Sequence, residues 1–293
     1  MNSLYMTRRQ MLVGAAGAVA GLTLTSSCAR YATCNCFQGF KLGVCDWTIG
    51  KRANPASLAE ARQIGLDGVQ VDFGGGADKL PLFDPDLQKR FIEEAKKQQM
   101  EIASLAMGVL NEIPYKSDPR AERWVWEGIN VAKVMKTDII LLAFFGNGDL
   151  QNDEEGVNEA IRRLRAVAPK AERAAVTLGI ESWLDADQLL DIIQRVGSPA
   201  VKVYYDVGNS HKQGYDIYSE IRQLGRHICQ VHAKDYDGLY GEGSIDFPRV
   251  RAAMDDVGYR GWIVMEGTKM PLGVEESCRY DADYLRTIFP ADA

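Results

Sequence analysis

Residues 177–206 read TLGIESWLDADQLLDIIQRVGSPAVKVYYD, in which two apolar runs flank a segment of helical periodicity. An apolar run at 177–181 ends in an acid, a segment with helical periodicity follows at 186–195, and a second apolar run at 201–206 also ends in an acid. Strand, helix and strand in immediate succession place the two strands side by side and parallel. The stretch therefore predicts one βαβ unit.

The same unit recurs along the chain, because eight short runs rich in apolar and β-branched residues each precede a stretch of helical periodicity. The predicted strands are 41–46, 68–73, 101–107, 138–144, 177–181, 201–206, 228–232 and 261–266. The predicted helices are 57–64, 85–99, 119–135, 154–174, 186–195, 215–224, 247–257 and 274–288. Eight alternating units without a low-complexity linker predict an α/β protein, a single-domain (β/α)8 TIM barrel. An open doubly wound sheet is the alternative.

The N-terminus has the pattern of an export signal. Arg8 and Arg9 precede an uncharged run at 11–27 that is rich in Ala, Gly, Val and Leu, which is typical of a twin-arginine signal peptide. We assign 1–29 to this signal and 30–293 to the barrel. Cys28 follows small residues, so a lipoprotein signal ending before Cys28 is a further reading, and an uncleaved N-terminal anchor is the alternative. The pattern predicts an exported protein, periplasmic or lipid-anchored at the membrane, with the Tat export machinery as a partner.

Composition limits the classes of partner. After the signal, roughly 265 residues remain, which is close to the usual length of one (β/α)8 barrel. The net charge is −6 and becomes more negative when the two arginines are removed, so nucleic acid and anionic membrane surfaces are not expected partners. Five cysteines follow Cys28, and their spacing assigns no disulfide. A homo-oligomer is compatible with the sequence but not specified by it.

Four successive predicted strands end in ionisable residues, namely Glu181, Asp206, His232 and Glu266. Their spacings of 25, 26 and 34 residues each correspond to one strand and one helix, so the side chains are expected at the same end of the barrel. Active sites of such barrels lie at the C-terminal ends of the strands. Three carboxylates and an imidazole brought together need a cation to balance them, and they suit Mn, Mg or Co, with Zn as an alternative. Taken singly, each acid could instead cap a helix or lie on the surface.

These strand ends resemble motifs of the xylose isomerase-like barrel superfamily, which includes ketose 3-epimerases, hydroxypyruvate isomerases, inosose dehydratases and endonuclease IV. The resemblance extends over about 41–289. Its most specific motifs are Gly179-Ile180-Glu181, Tyr205-Asp206-Val207-Gly208-Asn209, Val231-His232-Ala233-Lys234-Asp235 and Met265-Glu266-Gly267.

The resemblance implies one divalent metal ion held by Glu181, Asp206, His232 and Glu266, with Glu181 and Glu266 also acting as the proton-transfer pair. It implies proton transfer through an enediolate of a keto sugar, which the metal stabilises. Two departures limit the inference. Asn209 stands where several ketose epimerases have a histidine, and three histidines in the whole chain are too few for the trinuclear zinc site of the endonuclease branch.

Other residues near the predicted mouth are candidates for substrate binding. Lys234 should point to the same side as His232, Asn209 could bind a hydroxyl group, and Trp47 and Trp183 could stack on a sugar ring. Packing is the alternative for the two tryptophans, and a solvated side chain is the alternative for the lysine. Asp46 and Asp72 end the first two predicted strands, and we interpret them as helix caps.

The sequence therefore predicts a divalent-metal-dependent isomerase or epimerase that acts on an unphosphorylated keto sugar or a related polyol. The unphosphorylated substrate is expected because Glu242 and the predicted N-cap Asp246 disfavour an anion site at the next helix. One alternative is a lyase or dehydratase that acts on a keto-inositol or a 3-keto-glycoside. The other is a barrel that binds sugar or metal without turnover.

Overall fold

The computed structural model describes residues 39–76, 79–267 and 269–291, and these form alternating strands and helices. The strands are β1 (Phe40–Cys45), β2 (Gly68–Asp72), β3 (Glu101–Met107), β4 (Ile139–Phe144), β5 (Thr177–Ser182), β6 (Val201–Asp206), β7 (Ile228–Ala233) and β8 (Gly261–Met265). The α-helices are α1 (Ala56–Ile64), α2 (Pro85–Gln98), α3 (Pro119–Met135), α4 (Glu154–Ala174), α5 (Ala186–Val196), α6 (Val207–Lys212), α7 (Ile217–Leu224), α8 (Phe247–Asp256) and α9 (Val274–Ile288).

The eight strands form a closed parallel barrel in sequence order. The barrel closes where β8 pairs with β1, in a register that runs from Phe40 opposite Gly261 to Val44 opposite Met265. Closure excludes the open-sheet alternative and confirms the predicted (β/α)8 TIM barrel. The C-terminal ends of β5 to β8, which carry the predicted ligands, consequently lie next to one another around one rim.

Local sequence explains where the helices begin and end, as α5 shows. The side chain of Asp185 accepts a hydrogen bond from the backbone N–H of Gln188, and the side chain of Gln188 accepts one from the backbone N–H of Asp185. The helix ends at Gly197, whose φ of 72° is readily adopted only by glycine. Between these ends, Leu189, Ile192 and other apolar residues on one face are buried against the barrel.

One α-helix was not predicted from the sequence, and it positions a predicted ligand. The short helix α6 starts directly after β6, and Asp206 is its N-cap. Oδ1 of Asp206 accepts a hydrogen bond of 2.8 Å from the backbone N–H of Asn209. The cap fixes the Asp206 carboxyl at the rim and leaves its other oxygen, Oδ2, without a helix contact.

Close packing near the N-terminal ends of β2 and β3 requires a glycine. A Cβ on Gly68 would lie 2.5 Å from the ring of Trp262 and 2.6 Å from the carbonyl oxygen of Glu101. Both distances are shorter than real contacts of a Cβ, so only glycine allows β2, β3 and the indole to approach this closely.

The predictions for the N-terminus concern residues outside those that the structure describes. These are the signal peptide at 1–29, the site before Cys28, and Cys34 and Cys36. Within the described ranges, no helix is both long enough and apolar enough to cross a membrane. The three cysteines in these ranges, Cys45, Cys229 and Cys278, are free thiols.

Candidate active site

Four ionisable side chains converge where β5 to β8 end. Glu181 lies in β5, Asp206 ends β6, His232 lies in β7 and Glu266 follows β8. Each offers one ligand atom, and these atoms all lie within 4.8 Å of one another. Glu266 is partly buried and the other three are buried. The structure therefore brings together the four residues that the sequence analysis proposed as metal ligands.

The imidazole of His232 directs Nδ1 toward the carboxylates. Nδ1 lies 2.9 Å from Oε1 of Glu181, 3.7 Å from Oδ2 of Asp206 and 3.7 Å from Oε2 of Glu266. The other ring nitrogen, Nε2, points into the barrel and lies 2.8 Å from Oε1 of Gln70. Nδ1 is therefore the nitrogen that can bind a cation together with the three carboxylates.

Two neighbours hold the carboxylate of Glu266. The indole N–H of Trp47 donates a hydrogen bond of 3.1 Å to Oε1, and the ammonium of Lys234 donates one of 2.7 Å to Oε2. Lys234 Nζ also lies 3.7 Å from Oδ2 of Asp206. Trp47 and Lys234, predicted to bind substrate, thus contact a predicted catalytic residue directly.

The pKa values reflect crowded negative charge at this rim. Burial raises the pKa of the Asp206 carboxyl well above its ordinary value, and the nearby carboxylates of Glu266 and Glu181 add to the rise against the effect of Lys234. Burial also tends to raise the pKa of Glu266, but the charges of Lys234 and His232 outweigh it and hold the value at about 2. Burial tends to lower the pKa of Lys234, yet the carboxylates of Asp206 and Glu266 raise it above its ordinary value.

The cluster fits a divalent cation on two grounds. With His232 neutral, as a metal ligand must be, the ionised carboxylates of Glu181, Asp206 and Glu266 exceed the single ammonium of Lys234 by two negative charges, which one divalent ion would balance. Oδ2 of Asp206 is buried and has no hydrogen-bond partner among the described residues. A buried carboxylate oxygen that accepts no hydrogen bond is costly unless a cation binds it. Three oxygen donors and one nitrogen donor suit Mn, Mg or Co and are compatible with Zn.

A pocket of about 370 Å³ opens beside the cluster and contains the other candidates. Trp47, Trp183, Asn209 and Lys234 all line it, together with Glu181 and Glu266. The ring of Trp183 packs against that of Phe145, with their centroids 5.2 Å apart, so packing and exposure to the pocket coexist. The volume is in the range typical of small-molecule sites.

Asn209 is oriented by a residue that the sequence analysis did not select. The hydroxyl of Tyr236 donates a hydrogen bond of 2.6 Å to Oδ1 of Asn209. The Asn209 side-chain oxygen is thereby occupied, which leaves its NH2 group as the natural donor to a ligand oxygen. Four other pocket residues were not selected from the sequence, and they lie in the segments that follow β1, β3 and β4: Arg52, Asn111, Glu112 and Phe145.

Asp46 and Asp72 have a different role from the one predicted. Asp46 Oδ2 accepts hydrogen bonds from the backbone N–H groups of Ala53 and Asp72, and Asp72 Oδ1 accepts one from Gly74. The N-cap of α1 is Pro55, and Asp84 caps α2. The prediction of helix caps was therefore wrong, because these acids bind backbone N–H groups of the loops that follow their strands and, in the case of Asp46, also of the end of β2.

The fold and the site agree with a known family. A family model described as "Xylose isomerase-like TIM barrel" matches residues 58–288. The chain belongs to this family. The resemblance proposed from the strand-end motifs is thereby confirmed, and the matched range of this xylose isomerase-like barrel includes all four candidate ligands.

Relatives of this xylose isomerase-like barrel include proteins named as epimerases. The chain is 24% identical over 199 residues to the 2-epi-5-epi-valiolone 7-phosphate 2-epimerase of Actinoplanes sp.. This alignment covers 67% of this chain and 72% of that protein. The chain is 23% identical over 260 residues to a putative L-ribulose-5-phosphate 3-epimerase of Escherichia coli K12, in an alignment that covers 78% of this chain and 89% of that protein. The structure resembles that of D-psicose 3-epimerase from Clostridium cellulolyticum H10, solved with D-tagatose, with a TM-score of 0.73 and 17% sequence identity. The superposition covers 85% of this chain and 99% of that chain.

Proposed function

We propose that this chain is a divalent-metal-dependent isomerase or epimerase that acts on an unphosphorylated keto sugar or a related polyol. The observation that carries the proposal is the convergence of three carboxylates and one imidazole nitrogen within 4.8 Å at the rim of the barrel. The names of the two relatives described above support the reaction class, since both are named as epimerases.

Glu181, Asp206, His232 and Glu266 would together hold one cation, with Mn, Mg or Co favoured by the donor set. When bound, the cation would act as a Lewis acid that makes a C–H group beside a carbonyl more acidic. The Asp206 carboxyl is fixed for this role by its contact with α6, and the His232 ring by its contact with Gln70.

Glu181 and Glu266 would move the proton. They come from β5 and the end of β8, and Asp206 and His232 lie on the strands between them, so the two glutamates occupy the two ends of the ligand arc. One carboxylate would take a proton from the carbon beside the carbonyl, and the other would return a proton to the substrate. The configuration of the substrate decides which glutamate acts first.

The remaining pocket residues would bind and orient the substrate. Lys234 and the Asn209 amide can donate hydrogen bonds to hydroxyl or carbonyl oxygens. Trp47 and Trp183 offer aromatic surface to a sugar ring. Because Lys234 also holds Glu266, this lysine would couple substrate orientation to the position of a catalytic carboxylate.

An unphosphorylated substrate is proposed because the N-terminus of α8 already holds a carboxylate. Oδ1 of Asp246 accepts a hydrogen bond of 3.0 Å from the backbone N–H of Arg249, and a proline in the first turn lacks an N–H group. A phosphate there would meet the negative charge of Asp246. The two relatives described above are named for phosphorylated substrates, so the proposal differs from them on this point, whereas a third relative is named D-psicose 3-epimerase, for an unphosphorylated sugar.

Solvent exchange monitored by proton NMR tests the reaction class. The protein is loaded with a divalent cation, freed of excess ion, and incubated in D2O with keto sugars, inosose and 3-keto-glycosides. We expect deuterium at the carbon beside the carbonyl and a rearranged sugar as product. Glu181→Gln and Glu266→Gln should lose exchange, whereas Glu101→Gln, a matched change at the opposite end of the barrel, should retain it.

The product distinguishes the alternatives. An unsaturated or cleaved product would identify a lyase or dehydratase, in which the same proton removal is followed by loss of a β-leaving group. Binding of a sugar without exchange in metal-loaded protein would identify a binding protein and overturn the proposal.

Export through the Tat machinery, to the periplasm or to a lipid anchor at Cys28, is also part of the proposal. Cell fractionation of the wild-type chain and of a variant with Arg8→Lys and Arg9→Lys tests it. Retention of the variant inside the cell is expected, and equal export of both chains would contradict this assignment.

A further inference from the structure

Gln70 lies at the centre of a buried polar cluster inside the barrel, next to the candidate metal ligands. It is carried by β2, and its neighbours Cys45, Ser104, Tyr204 and His232 come from β1, β3, β6 and β7. All five side chains are at most 1% exposed. Water therefore does not replace the hydrogen bonds that these groups make to one another.

Every hydrogen-bonding position of the Gln70 amide is used. Nε2 donates to Oγ of Ser104 at 2.8 Å and to the hydroxyl of Tyr204 at 3.0 Å. Oε1 accepts from the thiol of Cys45 at 3.2 Å and lies 2.8 Å from Nε2 of His232. A primary amide offers two donor and two acceptor positions, so this amide is satisfied and held in one orientation.

When a cation is bound and the His232 ring is neutral, this orientation determines which ring nitrogen carries the proton. The amide oxygen of Gln70 can only accept, so Nε2 of His232 must be the N–H group. Nδ1 faces Glu181, Asp206 and Glu266, and in the absence of a cation it lies at hydrogen-bonding distance, 2.9 Å, from Oε1 of Glu181. With a cation bound, Nδ1 gives up its proton and presents its lone pair, while Nε2 keeps the proton that Gln70 accepts. A ring nitrogen binds a metal only through its lone pair, so this tautomer is the one that can act as a ligand.

The reversed amide would give the opposite result. Its NH2 group would face Nε2 of His232, which would then be the acceptor, and the ring proton would lie on Nδ1 among the carboxylates. The same NH2 group would meet the sulfur of Cys45, which accepts hydrogen bonds weakly. Cys45 therefore favours the orientation in which Gln70 presents its oxygen.

We propose that Gln70 is a positioning residue that fixes the Nε2–H tautomer of His232 and thereby sets the affinity of the site for a divalent cation. The inference rests on the metal site of the proposed function but not on the sugar chemistry. It concerns a residue that contacts neither the substrate pocket nor the cation position directly.

Metal affinity measured by titration calorimetry tests the proposal with two variants. Gln70→Met removes the oxygen that accepts from Nε2–H, and we expect Mn²⁺ or Mg²⁺ to bind about 10- to 100-fold more weakly. Gln70→Glu retains an acceptor, and the hydroxyls of Ser104 and Tyr204 can reverse to donate to it. We therefore expect Gln70→Glu to keep the affinity of the wild-type chain or to exceed it.

A spectroscopic readout separates tautomer control from a general loss of structure. The untagged chain has three histidines, so ¹⁵N-labelled histidine in the Zn²⁺-loaded protein gives resolvable ring signals, which His211→Gln and His227→Gln assign. The proton of His232 should lie on Nε2 in the wild-type chain and in Gln70→Glu. If Gln70→Met does not fold, a Ser104→Ala, Tyr204→Phe chain, which frees the amide to reverse, should show the same direction of change.

Three results would overturn the inference: a metal-loaded His232 protonated at Nδ1, unchanged affinity in folded Gln70→Met, or equal weakening in Gln70→Met and Gln70→Glu. A wild-type chain that binds no cation would overturn the proposed function as well. A wild-type chain that binds a cation, with Gln70→Met binding it equally, would overturn only the role of Gln70.

Discussion

The ammonium of Lys234 lies 2.7 Å from Oε2 of Glu266 and 3.7 Å from Oδ2 of Asp206. One positive charge thus faces the ionisable oxygens of three acids at the rim of the barrel, since Glu181 completes the cluster. Charges removed from water are costly when they are not balanced. Lys234 lowers this cost but cannot cancel it, which makes the cluster suited to a divalent cation.

Addition of Mn²⁺ or Mg²⁺ should therefore raise the melting temperature of the chelator-treated protein. At a free ion concentration 100 times the Kd, the expected stabilisation is about 2.7 kcal/mol. Asp206→Asn should lose most of this shift, because it removes a buried ligand oxygen that has no hydrogen-bond partner among the described residues. Differential scanning calorimetry with and without the ion measures the shift in melting temperature of the wild-type chain and of Asp206→Asn.

The matched control for this experiment is Asp138→Asn, an exposed aspartate just before β4. It should show the full shift of the wild-type chain. Equal shifts in Asp206→Asn and Asp138→Asn would mean that the ion binds elsewhere.

The strands and the ligand cluster were predictable because both follow from local pattern. Each barrel strand is an apolar run, and a ligand such as Glu181 lies at or next to the end of its run, so the spacing along the chain indicates the position around the rim. The short helix α6 was not predictable in this way, since its six residues are fewer than two turns and carry no periodic signal.

Contacts between distant strands could not be predicted from the sequence. The pairing of Gln70 with His232 joins residues 162 positions apart, and nothing around either residue indicates the other. Asp46 and Asp72 were misassigned for a related reason. An acidic side chain after a strand can accept a hydrogen bond from the backbone N–H of a helix or of a loop. Only the path of the following backbone decides which of the two it is.

Trp47→Phe should slow proton exchange at the candidate active site. The change removes the indole N–H that donates to Oε1 of Glu266 and keeps an aromatic ring. A hydrogen bond to a charged group contributes about 1.5–3 kcal/mol, so a fall in kcat/KM of roughly tenfold or more is expected. Trp183→Phe, which keeps the ring contact with Phe145, should have a smaller effect on kcat. The opposite order of effects in steady-state kinetics would contradict the role of Trp47.

Asp46→Asn should flatten the pH dependence of stability. Burial raises the pKa of Asp46 well above its ordinary value, and the carboxylate of Asp72 adds to the rise. In the unfolded chain this pKa is about 3.9, so the folded state binds more protons above that pH and loses stability as pH rises toward the folded pKa. Asparagine does not titrate, so the free energy of unfolding of the variant should fall less as pH rises.

Urea unfolding of the chelator-treated protein between about pH 4 and pH 8 measures this difference. The free energy of unfolding of the wild-type chain should fall relative to that of Asp46→Asn as pH rises. Parallel curves across the range would show that Asp46 has the same pKa in the folded and unfolded states.

Gly68→Ala should destabilise the barrel by about 1–3 kcal/mol, because the added Cβ would clash with the ring of Trp262 and with the carbonyl oxygen of Glu101. Gly75→Ala is the matched control, since no described atom lies within 4 Å of the added Cβ. Urea unfolding compares the two variants. Equal stabilities would show that the strands near Trp262 can move apart without cost.

Deuterium incorporation into a keto substrate as a function of bound cation tests metal-dependent proton transfer at this site. Protein stripped by a chelator is titrated with Mn²⁺, the bound ion is counted by electron paramagnetic resonance, and exchange at the carbon beside the carbonyl is followed at each step. Exchange should be absent in the stripped protein, rise in proportion to occupancy and stop rising at one ion per chain. Full exchange in stripped protein, or a bound ion with no exchange for any keto substrate, would contradict metal-dependent proton transfer.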